Sequence, residues 1–169
     1  RIPSSAASDV YKRQLLFNMN NIKEMKLYSD AYRIFKDLKA LGYAEDDKLS
    51  LEDVNQFDQL HYHGTLSVQE AIETINIQEN DNVLEVGAGW GGPSRYIAYK
   101  TRAYVSALEL QQDYSEVGKE LTLRTGLQRF VTHINQDFLN FSQKSACFNK
   151  IVSWLALYHI PYRKIYSDK

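Results

Sequence analysis

A chain of 169 residues with 44% hydrophobic side chains holds enough apolar mass for one core of ordinary domain size. Its formal net charge of -1 supplies no broad basic field, which argues against a nucleic acid or an anionic membrane as the main partner and leaves small molecules. The single cysteine, Cys147, cannot form an internal disulfide. No apolar run approaches the roughly 18 residues of a membrane span and no secretory leader is recognisable, so a cytoplasmic setting is expected.

In chain order, the opening RIPSSAASDVYKRQ (residues 1–14) has neither a helical nor a strand period. It resembles translated adapter sequence and is set apart from the fold. From about Leu15 to Leu41, the apolar residues Leu27, Ala31, Ile34, Phe35 and Leu38 recur at three- and four-residue steps, which predicts an amphipathic helix ended by Gly42. Ser50 with Asp53 three residues on predicts a capped second helix, and Ser67 with Glu70 predicts a capping box for a helix over Leu66 to Ile75. Val83 to Val86 then reads as a first strand, with Pro93 tolerated at the start of the next helix.

Ala103 to Leu110 reads as a second strand, Tyr114 to Arg124 as a helix closed by Gly126, Phe130 to Ile134 as a third strand and Lys150 to Leu157 as a fourth. Strands alternating with helices predict an α/β fold: a doubly wound, Rossmann-like parallel sheet, incomplete, with an N-terminal helical cap. The expected layout is a non-native segment over 1–14, the cap over 15–80, and the first part of the α/β domain over 81–169. An α/β domain is expected to continue past the fourth strand, whose outer edge would otherwise be open.

Chemistry concentrates in VLEVGAGWGGPSRYIA, Val83 to Ala98. Glycines there permit positive φ and let a ligand approach the main chain at the strand mouths. Gly87, Gly89 and Gly92 have the spacing of a dinucleotide loop, whereas Glu85 with Gly87, Gly89 and Gly91 forms an E-x-G-x-G-x-G pattern. Glu109, about 20 residues on, is placed to accept ribose hydroxyls in either case. Glu85 separates the two readings: a carboxylate beside the loop repels a pyrophosphate and attracts an ammonium and a sulfonium.

On these residues the chain resembles the class I S-adenosylmethionine-dependent methyltransferases. The glycine stretch looks like their motif I, ALEL ending at Leu110 like the second motif, HINQDF like the segment that follows the third strand, and SWLALYHIP like motif IV. The likeness runs from about Phe57 to Pro161 and is nearest the small-molecule branch of sarcosine/dimethylglycine, phosphoethanolamine, tocopherol and sterol methyltransferases. It implies S-adenosylmethionine as cofactor and a small-molecule acceptor, an amine in the first instance. Implied cofactor-binding residues are Glu85, Gly87, Ala88, Gly89, Trp90, Gly91, Glu109, Leu110, Gln136, Asp137, Phe138 and Trp154. In that set Asp137 would accept the adenine amino group and Phe138 would pack on its ring.

An amine must be neutral to attack, so a base is wanted, and His159 is the candidate. Related amine enzymes carry an acid four residues before it, where this chain has Leu155. FDQLHYHG, Phe57 to Gly64, resembles the segment that closes over the cofactor in the sarcosine/dimethylglycine type. Tyr62 within it is a candidate for a cation–π contact with the sulfonium. Trp90 and Trp154 are expected to wall the pocket. His61 and His63 form an H-x-H pair, but no Cys or carboxylate cluster completes a metal site and methyl transfer needs none. Alternatives are a cyclopropane-forming or sterol C-methyltransferase-like enzyme, a nicotinamide-dependent oxidoreductase, and a domain that binds S-adenosylmethionine without catalysis.

Overall fold

The computed structural model describes residues 29–142 and 147–160. Asp30–Leu157 form one compact unit, while Ser29 and residues 158–160 belong to a second unit made from the two ends of the chain. The expected helical residues 15–28 lie outside the described residues, as do the opening segment and Pro161 onward.

Helix α1 is Arg33–Ala40, with Ile34 and Leu38 on its buried side. Helix α2, Leu51–Asp58, has the expected cap: Ser50 and Asp53 bond reciprocally across the first turn, which satisfies donors the helix leaves free. Helix α3, Thr65–Thr74, begins earlier than the sequence predicts. Gly64, at φ 52, starts it, and Ser67 donates instead to the Gly64 carbonyl at 3.0 Å. The capping box expected at Ser67 is therefore absent, because the sharp turn at glycine places the N-cap three residues sooner.

Strand β1 is Asn82–Val86, β2 is Tyr104–Glu109, β3 is Val131–Asn135 and β4 is Lys150–Val152. All pairings are parallel, in the order β3-β2-β1-β4. Helix α4 (Gly92–Thr101) joins β1 to β2, and α5 (Gln112–Arg124) joins β2 to β3. The α/β, Rossmann-like reading of the sequence is the observed fold. Strand β4 is shorter than expected, since the backbone turns after Val152 and Leu155 takes φ 56, a left-handed conformation unusual for a bulky side chain.

Both sheet faces are covered. Val83, Val105 and Ala107 join Val68, Ile72 and Ile97 in one apolar cluster, while the alternate residues Leu84, Val86 and Leu108 are buried as well, as parallel strands packed on both sides require. A second cluster gathers Ile34, Leu38 and Val54 of the first two helices with Trp90, Val117 and Leu121. The N-terminal helices thereby dock on α5 and the glycine loop. The strand order reverses between β1 and β4, which fixes the ligand crevice at the carboxyl ends of those two strands.

Candidate functional site

The loop after β1 crosses that crevice. Gly87, Gly89 and Gly91 take φ 74, 54 and 75, values that strain any residue with a Cβ. What the missing side chains make room for differs along the loop. A Cβ on Gly87 would run into the Cβ of Ala156, one on Gly91 would lie 2.5 Å from His133 Cε1, and at Gly89 the nearest atom is Leu60 Cδ1 at 3.7 Å. Only at Gly89 is the space open; at the other two positions it is filled by the protein itself.

The amides of the loop are already engaged. Gly87 and Ala88 both donate to the Leu108 carbonyl, at 2.9 and 3.0 Å. Gly89 donates to Glu109 Oε2 at 2.8 Å, and Gln111 donates to Oε1 of the same carboxylate at 2.8 Å. Burial pushes the Glu109 carboxyl up, against the backbone donors that hold it down. Glu109 and the crest of the loop are brought together as the sequence expects.

Glu85 is placed differently. It is 1% exposed and its carboxyl bonds to the hydroxyl of Ser94 in the next helix. Burial pushes it up to about 8, so at neutral pH it is largely protonated. The expected charge repulsion of a pyrophosphate by Glu85 is thus removed, because the group sits beneath the loop in a medium that disfavours its anion.

Trp90 corrects a second expectation. It is 1% exposed and stacks on Tyr114 at 5.3 Å with the Arg33 guanidinium 5.2 Å from its ring. It fills the cluster under the N-terminal helices and walls no cleft. Its indole turns inward because the left-handed residues on either side reverse the chain around it.

At the other strand ends, Trp154 is half-buried and stacks on His61, centroids 5.6 Å apart, so the 57–64 segment does meet the end of β4. Tyr62 points outward at 76% exposure. Asp137 follows β3 and caps the 3₁₀ turn Phe138–Asn140 through the Leu139 amide. Gln136 lies beside it, its amide donating to the Glu109 carbonyl at 3.0 Å, and Leu110 is exposed at the end of β2. His159 packs 4.1 Å from the ring of Tyr158 in the terminal unit.

A group that sequence reading missed lies behind the loop. Arg95 and Asp58 form a fully buried ion pair at 2.7 Å, Arg95 also reaches Thr122 Oγ1 at 3.1 Å, and Thr122 bonds His133 Nε2 at 2.8 Å. Burial, with help from the Arg95 charge, lowers His133 to about 3. The available signal was Arg95 itself, which falls on the same helical stripe as Gly91 and Ala98 and so must be buried.

Residues 53–166 match the model of the family described as ribosomal RNA adenine dimethylase. The chain belongs to this family of class I S-adenosylmethionine-dependent methyltransferases. Among curated relatives, it is 35% identical over 94 residues to a sterol 24-C-methyltransferase of Eremothecium gossypii, covering 54% of this chain and 25% of that one. It is 28% identical over 82 residues to a sarcosine/dimethylglycine N-methyltransferase of Halorhodospira halochloris, 48% of this chain and 29% of the other. Its fold matches a methyltransferase of Thiobacillus denitrificans solved with S-adenosyl-L-homocysteine, with TM-score 0.54, 15% identity, and 67% and 46% of the two chains covered. This methyltransferase-family chain therefore spans a quarter to a half of such proteins. No helix among its described residues is long and apolar enough to cross a membrane.

Proposed function

We propose that the chain carries the cofactor-binding part of an enzyme that transfers a methyl group from S-adenosylmethionine to a small-molecule acceptor, with an amine of the sarcosine/dimethylglycine kind as the finer reading. The observation that supports it is the state of the loop amides. Gly87 and Ala88 give their N–H groups to Leu108, and Gly89 gives its own to the Glu109 carboxylate. A pyrophosphate site needs such N–H groups free to face the anion. Glu109 lies on the crest, accepting from Gly89 and Gln111, and its remaining lone pairs suit ribose hydroxyls.

Bound S-adenosylmethionine supplies a methyl group on a cationic leaving group, so the protein's tasks are alignment and exclusion of water. In this reading Gly89 gives the ligand close access to the main chain. Asp137 and Phe138 serve the adenine, Gln136 and Leu110 flank it, and Trp154 forms a wall. His159 is proposed as the base for an ammonium acceptor and Tyr62 as the ring that turns inward to the sulfonium.

A second reading, transfer to a sterol carbon, is favoured by Leu155, which stands where the amine enzymes carry an acid, and by the 35% identity to a sterol enzyme. The full-length protein, tested by calorimetry with S-adenosylhomocysteine and NAD, is expected to bind the former. Labelled-methyl assays with sarcosine, dimethylglycine, a sterol and an adenine-bearing RNA then assign the acceptor. Retention of NAD with no affinity for S-adenosylhomocysteine overturns the methyltransferase reading; labelled sterol without labelled amine selects the second one.

A further inference from the structure

Behind the glycine loop, one guanidinium connects three parts of the molecule. Arg95 Nη1 donates to the Trp90 carbonyl in the loop at 2.7 Å and to Gly118 O and Thr122 Oγ1 of α5 at 3.2 and 3.1 Å. Its Nη2 donates to Asp58 Oδ2 at 2.7 Å. Asp58 then continues the chain of bonds toward the front. Gln59 Nε2 donates to Asp58 Oδ1 at 3.0 Å and to Asn55 Oδ1 at 3.2 Å, and these two acceptors dictate which end of the amide carries the N–H groups. Gln59 Oε1 is left facing His61 Nε2 at 3.1 Å, where it accepts from the ring tautomer that carries its proton there. His61 Nδ1 sits 3.1 Å from Ser67 Oγ and 3.1 Å from the Tyr62 carbonyl, and the ring stacks on Trp154.

We propose that Arg95 is a positioning residue for the cofactor: through Trp90 it sets the glycine loop, and through Asp58, Gln59 and His61 it holds the 59–63 segment against Trp154, so that both walls of the cleft are adjusted together. The proposal rests on the reading of that cleft as an S-adenosylmethionine site. Its physical basis is that a planar fork with several fixed donors serves all these acceptors at once, which a lysine ammonium cannot do. The ion pair is fully buried, and in a medium of low dielectric such hydrogen bonds reinforce one another.

The test is calorimetric titration of the purified chain with S-adenosylhomocysteine. Arg95→Lys keeps a cation beside Asp58 but loses the fork, and is expected to weaken binding about tenfold; His61→Phe keeps a ring for Trp154 but loses both nitrogen bonds, and is expected to weaken it about fivefold. The double variant is expected to bind several-fold better than the product of the two effects predicts, the signature of a shared pathway. Ring ¹⁵N spectra supply a readout that loss of packing alone does not move: Arg95→Lys is expected to shift the balance between the two ring tautomers of His61.

Should Arg95→Lys fail to fold, Gln59→Leu cuts the same chain at a half-buried, uncharged link and is expected to shift the tautomer balance toward Nδ1–H and weaken binding about fivefold. Wild-type affinity in Arg95→Lys or Gln59→Leu, or strictly multiplicative losses in the double variant, overturns the proposal. Absence of binding by the unaltered chain overturns the cofactor reading, and the positioning role with it. The two failures are thus told apart by the wild-type titration alone.

Discussion

The glycine loop has a back and a front, and the same residue types do different work on each. Behind it, Asp58, Arg95, Thr122 and His133 are buried and bonded to one another, and the glycines admit protein atoms. In front, Glu109 reaches over the crest to Gly89, where no protein atom comes within 3.5 Å of a Cβ position. The difference teaches that a glycine pattern marks close approach without saying what approaches. At Gly91 and Gly118 the visitor is the imidazole of His133; at Gly89 it is left to the ligand.

The sharpest way to break that contrast is from the back. Arg95→Met strands a buried Asp58 carboxylate, and denaturant titration is expected to find the fold weakened by about 3 to 5 kcal/mol. Next in size is the pH response of the buried groups. His133, ordinarily near 6.5, is lowered to about 3 in the fold. Its contribution is therefore fully present above about 6.5 and is lost as pH falls toward 3, by at most about 1.4 kcal/mol per pH unit.

Glu85 works with the opposite sign, raised from 4.5 to about 8. Its contribution is complete below about 4.5 and is lost as pH rises toward 8, again by at most about 1.4 kcal/mol per unit. Urea midpoints against pH are expected to lose the acid slope in His133→Gln and the alkaline slope in Glu85→Gln.

Gly118→Ala places a Cβ 2.5 Å from His133 Cε1 and 2.9 Å from the Trp90 carbonyl, so a loss of about 2 kcal/mol is expected despite alanine's better helix propensity. The front is expected to behave otherwise. Gly89→Ala meets nothing closer than 3.7 Å, and its cost is the left-handed backbone alone, about 1 kcal/mol by thermal denaturation. Its larger effect is expected in calorimetry, as weakened S-adenosylhomocysteine binding. Smallest of all, Tyr62→Ala at an exposed site is expected to change the unfolding free energy by less than about 0.5 kcal/mol.

How much of this was legible in the residues follows from the range of the forces. The cap at Ser50 and Asp53 and the positions of β1, β2 and α5 were readable because they depend on neighbours a few residues away. Trp154 and Leu155 have the composition of a strand, yet β4 ends at Val152, Leu155 turns to φ 56 and Ala156 lies against Gly87, a contact between residues 69 apart that no local pattern shows. Ser67 was misread as a cap because Gly64 supplies the bend first.

The site divides along the same line. Glu109 was found through its spacing from the glycines. The Arg95–Asp58 pair joins residues 37 apart, and no local pattern names the partner of a buried arginine. The sequence places Glu85 beside the glycine loop as a charged group, whereas its burial, which pushes its carboxyl up to about 8, depends on Ser94 and the packed strands around it.

Strand β4 is tied to the sheet over three positions, Val83 to Glu85, whereas β1 and β2 are matched over five. Amide protons along this edge should therefore trade with solvent sooner than those of the central strands, and each brief detachment carries Ala156 off Gly87. Among the described strands, the seam with the fewest rungs is thus the one that borders the glycine turn.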